Sequence, residues 1–509
     1  MPAQKFIKPW HGLYKPNVGT WFLASGALWL MAAAALTGCL QGANYQRPTV
    51  EIPADWEQLS GRDPKPGVPI NSQQVPNATW WQAFQNEELT ALIERALEHN
   101  HDVRQAALRV LEGRAIVINA RAGLYPQLNI QGTYSRVQIS ENTVAGLGLA
   151  KARVNPAGAP QTFANPGQGY DLWNAFADLR WELDLWGRIR RGMEAASADS
   201  EATEHDARGV ALSLVGDVGD AYFRVRELDE QLSIADRHLR VRQDSFDFVK
   251  TRASVGLASE LDVKRAEALV AESAAQVPEY QRLRTIELHR LEVLVGSQPG
   301  TMDLPAKPLR MVVAQPEIPV GLPSHLLERR PDILQAEHQL VAANAHIGEA
   351  RAYFFPALSI TGQGGFQSVD FANWLTGGSR TYAIGPSITL PIFYGGTNVA
   401  RLNVAESRYE QLLEHYQQTI LLAFREVADL LVSIRQRSEQ LQRQREQVHA
   451  AEATVALADV RYRTGLVTVL DVLDAQRTVL AAETQLVQTE RARLTDMILL
   501  FKALGGGAE

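Results

Sequence analysis

The sequence is poor in the residues on which several classes of function depend. Its 509 residues include one cysteine, which leaves no internal disulfide framework and no cysteine-based zinc site. Only six methionines occur, and the eleven histidines are scattered without ligand spacing, which argues against a soft-metal relay. There is no His-Glu-x-x-His, no Gly-x-x-x-x-Gly-Lys loop and no Gly-x-Ser-x-Gly elbow, so no enzyme chemistry and no cofactor is expected. Positive charge is short too: 50 Lys and Arg stand against 57 Asp and Glu, a net charge of −7. A nucleic-acid binder would normally carry a basic patch. Past the first 40 residues no run reaches the roughly 18 apolar residues of a transmembrane helix. If the mature chain spans a membrane, it must do so as a barrel.

What is present begins at the N terminus. Lys5, Lys8, His11 and Lys15 precede an apolar stretch from Trp21 to Leu36, the pattern of a secretory leader. The stretch ends in Leu36-Thr37-Gly38-Cys39, and Cys39 is the lone cysteine. Leu-x-Gly-Cys here resembles a bacterial lipobox, which implies cleavage before Cys39 and diacylglycerol plus an N-acyl chain upon it. An uncleaved anchor or a chance cysteine are the plainer readings. Leu40 in place of Asp argues, by the same resemblance, against retention at the inner membrane. Loss of residues 1–38 removes three lysines and no acid, taking the charge from −7 to −10.

The rest is a duplication. Residues 89–132 align with 319–362 at an offset of 230, with 14 of 44 positions identical. Further on, Arg252, Gly256, Leu261, Asp262 and Val263 match Arg461, Gly465, Leu470, Asp471 and Val472 at an offset of 209. The first half therefore carries about 21 extra residues between 132 and 181, in a stretch rich in Gly, Asn, Pro and Ala that reads as a surface loop. The resulting division is a leader at 1–38, an extended Pro-rich lead at 39–88 and a first repeat at 89–296. A Pro-rich linker at 297–321, a second repeat at 322–505 and a tail at 506–509 follow.

Each repeat reads helix, strand, strand, long helix, turn, helix. Residues 188–254 and 397–464 lack proline, so each forms a helix on the order of 100 Å long. Val218, Val225, Leu232, Leu239 and Phe246 recur every seven residues, with Ala221, Leu228, Ala235 and Val249 interleaved and Arg242 as the exception. Val427, Ile434, Leu441, Val448 and Val455 repeat the pattern. Such heptads bury a narrow stripe in coiled-coil fashion. Shorter helices are expected over 89–123, 259–295, 322–353 and 468–504; two laid end to end match one long helix, which suggests a tube. Leu179, Trp181, Leu183 and Leu185 alternate with Asp178, Arg180, Glu182 and Asp184, and a similar alternation runs over 381–392. This suits a water-filled membrane barrel or a sheet covering a soluble core. Four strands cannot close a barrel, whereas three chains would give twelve.

Trp80-Trp81-x-x-Phe84, then Leu89-x-x-Leu92-x-x-x-Ala96-Leu97-x-x-Asn100-x-Asp102, resembles the opening motif of the TolC/OprM-type outer-membrane efflux channels. Leu326-Leu327-x-Arg329-Arg330-Pro331-Asp332-Ile333 is similar to the motif of their lipoprotein (NodT-like) branch, and Tyr462-Arg463-x-Gly465 leading into Leu470-Asp471-Val472-Leu473-Asp474-Ala475-Gln476 to their periplasmic tip. Asn86-Glu87-Glu88 departs from a common Asp-Pro pair. The resemblance covers essentially the whole mature chain. It implies an α+β membrane protein, trimeric, with a 12-stranded outer-membrane β-barrel of four strands per protomer continued by a long α-helical periplasmic barrel. The implied function is passive conduction of drugs or other small molecules across the outer membrane of a Gram-negative bacterium. The implied partners are a periplasmic membrane-fusion adaptor and an inner-membrane pump of the resistance-nodulation-division (RND) type. The exit duct of a type I secretion system, or a periplasmic coiled-coil protein without a pore, are the alternatives.

Asp471 and Asp474 stand three apart, on one helix face. In a trimer they place six carboxylates at one opening, a ring that selects cations and resists constriction unless protonated or cation-bound. They match the family's aspartate gate, while Thr468-x-x-Asp471 and Ser259-x-x-Asp262 also read as helix capping boxes. Tyr462 belongs by resemblance to the latch of the closed tip. Val467 replaces a latch arginine of the family, leaving Arg461 and Arg463 to supply other bonds. The turns from Arg252 through Gly256 to Leu261 and from Arg461 through Gly465 to Leu470 are the expected adaptor-docking edges, with glycine permitting φ > 0. Arg329-Arg330-Pro331-Asp332 is read as a helix start rather than an anion site. Trp173, Trp181, Trp186, Phe393 and Tyr394 fit an interfacial girdle or plain packing.

Overall fold

A computed structural model describes residues 40–50, 52–53, 56, 70–71, 79–138, 140, 169–311, 316, 318–321 and 323–506. The leader, Cys39 and most of the long loop of the first half lie outside the described residues. In chain order the strands are β1 (Ile70–Asn71), β2 (Gln127–Gln138), β3 (Gly169–Leu183), β4 (Ile318–Pro319), β5 (Ala357–Ser368) and β6 (Arg380–Thr389). The helices are α1 (Glu87–His99), α2 (His101–Ala122), α3 (Arg188–Ser254), α4 (Glu260–Leu294), α5 (Leu326–Arg329), α6 (Pro331–Ala352), α7 (Thr397–Arg463) and α8 (Val469–Ala503). The two long helices have 67 residues each, and α4 and α8 have 35 each. Element boundaries repeat at the sequence offsets: Ala122 and Ala352 differ by 230, Ser254 and Arg463 by 209.

The backbone divides into two compact units. Among the described residues, the first gathers Leu40–Gly42 with Gly123–Arg191 and Gly348–Gly395. Its centre is an antiparallel sheet of order β2-β3-β5-β6. The β3 strand begins at Gly169, nine residues before the expected alternation, and ends at Leu183. Asp184 leaves the strand because its carboxylate accepts from the N–H groups of Ile189 and Arg190 (3.0 and 2.9 Å), satisfying the first turn of α3. The β6 strand stops at Thr389, short of the expected 392, one residue ahead of Leu390-Pro391. In β5, an added Cβ at Gly365 would meet the Ala175 carbonyl oxygen at 1.9 Å, so this strand tolerates only glycine there.

The second unit holds Ala43–Ala122, Gly192–Ile347 and the chain from Gly396 onward. Its core joins Trp80, Phe84, Leu89 and Ile93 to Val218, Tyr222 and Val225 of α3. Ile420 and Val427 of α7 and Leu494, Ile498 and Phe501 of α8 complete it. The heptad stripe of α3 is buried at Val218, Ala221, Val225, Leu228, Ala235 and Val249. Arg242 is buried as well, donating to the Leu269 carbonyl (3.2 Å) and the Ser273 hydroxyl (2.7 Å) of α4. Two helices are shorter than expected. The single helix expected over 89–123 breaks at Asn100, whose Oδ1 accepts from the N–H groups of Asp102 and Val103 and starts α2 afresh. The expected 322–353 helix begins properly at Pro331, because Arg330 is extended (φ −71, ψ 121) ahead of the proline. Parallel pairing of β1 with β4 is also present. Among the described residues no helix is long and apolar enough to cross a membrane.

Candidate functional site

The sheet has two chemically distinct faces. Register places Leu128, Leu179 and Ile384 in one row and Ile130, Ala177 and Tyr382 in the next. These apolar residues belong to no core: Ile130 is 84% exposed and Tyr382 85%. The opposite face carries Gln127, Asn129, Gln131, Asp178, Arg180, Thr361 and Gln363, which line a hollow of about 640 Å³ together with Leu179, Gly362, Ala383, Ile384 and Gly385. Gln363 donates to Asp178 (2.8 Å), Gln367 to Asn174 (3.0 Å) and Asn174 to Thr133 (3.1 Å), so side-chain amides bridge β2, β3 and β5. Period-two alternation is the cause in the middle of the sheet, where the strands send polar groups one way and apolar groups the other. Toward Trp173 the pattern breaks, with Phe176 on the polar face and Arg136 and Asp171 on the apolar one.

Aromatic side chains mark both ends of these strands. Trp173 packs with Tyr134, Phe371 and Trp374 at ring distances of 4.4–5.8 Å. Eight residues along β3, Trp181 donates to the Leu124 carbonyl, while Trp186 donates to the Pro356 carbonyl and stacks on Phe355 at 4.8 Å. Phe393 and Tyr394 are exposed. The residues just after Cys39 are seated nearby. The Gln41 N–H donates to the Trp186 carbonyl (3.1 Å), and buried Arg191 donates to the carbonyls of Gln41 and Gly42 (3.0 and 2.9 Å).

The tip of the helical unit is built from two matched turns. Gly256 and Gly465 adopt φ of 77 and 78, and the following N–H of Leu257 or Leu466 closes onto the carbonyl of Arg252 or Arg461, as in a Schellman ending. Around them Val255, Leu257, Leu261, Leu466 and Leu470 are exposed, Leu466 by 75%. Both capping boxes are formed. Asp471 accepts from the Thr468 N–H (2.9 Å) and hydroxyl (2.6 Å), which hold its carboxyl below the usual aspartate range. Asp474, one turn further along, is exposed, and no described residue pairs with its carboxylate. In the first repeat the corresponding Arg265 lies 4.0 Å from Asp262. One turn therefore balances its acid where the other adds a second.

Tyr462 is buried at the end of α7, where the Arg252 guanidinium lies over its ring at 5.0 Å and donates to its carbonyl oxygen (3.1 Å). Phe248 meets the ring edge-on at 5.9 Å, and Arg463 lies over Phe248 at 5.1 Å. Arg252 with Tyr462 is thus one of the contacts that join the two tip turns. Sequence reasoning placed Arg252 on a docking edge and missed this pairing, since nothing local signals a contact 210 residues away. It also missed the buried contact of His238 with Glu483, to which exposed Arg237 adds a second bridge, and the stacking of His205 on His338 at 5.1 Å. Arg330 serves a helix start as expected, binding Asp332 while reaching Glu426 of α7 and the Ala503 carbonyl of α8. Among the described residues no group of three His, Cys, Asp or Glu could hold a metal ion.

An amphipathic sheet with its apolar face outward and polar face hollowed, in one chain with helical hairpins ending at an acidic tip, defines an outer-membrane channel protein. Comparison supports that class and narrows it. The outer membrane efflux protein family matches residues 92–297 and 322–506, and the chain belongs to it. The toluene efflux pump outer membrane protein TtgC of Pseudomonas putida is 34% identical over 478 residues, covering 94% of each chain. The cation efflux system protein CusC of Escherichia coli is 33% identical, covering 93% of this chain and 97% of that one. The solved structure of the outer-membrane channel OprN superposes with a TM-score of 0.81 at 30% identity, over 92% of this chain and 99% of that one. The protein is accordingly the outer-membrane component of an efflux pump.

Proposed function

We propose that three copies of this chain close a twelve-stranded barrel through which drugs or other small molecules pass passively. The observation that carries the reading is the sheet: four strands with β2 and β6 at its edges, an exposed apolar face and a polar hollow. Four strands are too few to close, so the edges find partners in neighbouring copies, which also satisfies their backbone groups in lipid. Relatives named for toluene and for cations fit a duct with no tight site of its own. In this reading a periplasmic adaptor docks on the tip turns Arg252–Leu261 and Arg461–Leu470, where exposed leucines offer an apolar contact, and an RND-type inner-membrane pump supplies the energy. Cys39 carries the lipid, and Trp173, Trp181, Trp186, Phe393 and Tyr394 sit at the membrane boundaries.

Asp471 and Asp474 form the gate, with Tyr462 in its latch. Asp474 is the freer charge, while Asp471 both caps α8 and adds to the acidic ring. The test is single-channel recording of the purified trimer in planar bilayers. A small, cation-selective conductance is expected, and Asp471→Ala with Asp474→Ala should enlarge it and relieve block by divalent cations. No change in either property removes the two aspartates from the gate.

A further inference from the structure

The helix that carries both tip aspartates is aligned against α3 by a seam whose character changes along its length. At one end a side chain fills the seam: a Cβ at Gly219 would meet the Ile498 Cδ1 at 2.5 Å. Below that point, side chains bridge the two helices. Arg491 of α8 reaches Glu227 (3.1 Å) and Asp220 (3.4 Å) of α3. Glu483 of α8 receives His238 (2.6 Å) and Arg237 (2.5 Å), and Gln476 donates to the Ser245 hydroxyl (2.9 Å). Ser245 and His238 are seven apart on one helix, and Gln476 and Glu483 are seven apart on the other. Gln476, Glu483 and His238 are all buried.

Apolar heptads alone leave antiparallel helices free to slip by seven residues, since the stripe maps onto itself. Here the bridges forbid it. A slip one way carries Glu483 to Gln231, beside Glu227 and Glu230. A slip the other way carries Glu483 to Ser245, beside Asp244, and moves Arg491 from Glu227 to Ile234. Each misplaced register sets Glu483 beside another acid at the seam, which is costly. We propose that Glu483 and Arg491 form a two-charge key that fixes the register of α8 on α3, making Glu483 a positioning residue for Asp471 and Asp474. The proposal rests on the reading of those aspartates as the gate. Because this lower seam is polar, its partners can exchange for water at small net cost, so the tip can part and close again in the same register.

The test joins Ser245→Cys and Gln476→Cys in the full-length trimer and follows disulfide formation beside channel conductance. Glu483→Gln should slow cross-linking about tenfold and enlarge the conductance. The swap Arg237→Glu with Glu483→Arg should restore both toward the starting values, although each change alone impairs them. Unchanged cross-linking and conductance in Glu483→Gln overturn the key, as does a charge swap no better than its single variants. If Asp471→Ala with Asp474→Ala leaves conductance unaltered while Glu483→Gln still slows cross-linking and the swap rescues it, the key stands and the gate assignment falls.

Discussion

Glu483 sits between an imidazole and a guanidinium in a buried seam. Burial pushes its carboxyl up, and the His238 hydrogen bond with the Arg237 charge outweighs burial, leaving it below the usual glutamate range. The sign of the pH dependence follows. A depressed carboxyl contributes stability above its unfolded pKa of about 4.3, and that contribution is lost as pH falls through the folded value. Acid should therefore loosen the lower seam, seen as lower hydrogen-exchange protection of α8 near Glu483, relative to the unstructured chain at the same pH, below about pH 4. The same exchange profile in Glu483→Gln at neutral and acid pH would show that the titrating group is this one. Asp471 carries the same sign through its cap, but in full solvent.

At the scale of elements, what could be read from the sequence was what repeats. Proline-free runs located α3 and α7 to within a residue, and the heptads inside them marked the buried stripe. Two strands per repeat followed from alternation. The misses are single residues that act across space or end an element. Asp184 looked like the polar face of a strand, yet it feeds the N terminus of α3. Asn100 looked like mid-helix, yet it restarts one. Tyr462 was legible as a tip residue from its motif, whereas Arg252 as its partner was not. Gly365 sat in a glycine cluster with no evident duty, and only the approach of the Ala175 carbonyl explains it. Gly365→Val should cost about 2–3 kcal/mol or more from overpacking against backbone, read as a lower dissociation temperature of the trimer on gels. An unaltered temperature would mean that β3 and β5 shift apart freely.

For the whole molecule, the lipid proposed at Cys39 and the barrel proposed for the sheet would be two independent holds on the membrane. Gln41 and Gly42 stay seated by hydrogen bonds to the Trp186 carbonyl and from the Arg191 guanidinium. Cys39→Ser should therefore abolish labelling by radioactive palmitate while leaving a fraction of folded trimer. A variant that is still labelled overturns the lipid assignment at Cys39, and complete loss of trimer would show that the barrel needs the anchor to form.

The matched lengths of α3 and α7, and of α4 and α8, carry a consequence for how such a chain can change over generations. A seven-residue insertion in α3 alone keeps its apolar stripe but moves every bridge to α8 by one step. Natural insertions and deletions in these helices should then arise only as compensated pairs, in multiples of a heptad. The connection between β2 and β3 stands outside that coupling, and the extra residues of the first half fall there in the sequence.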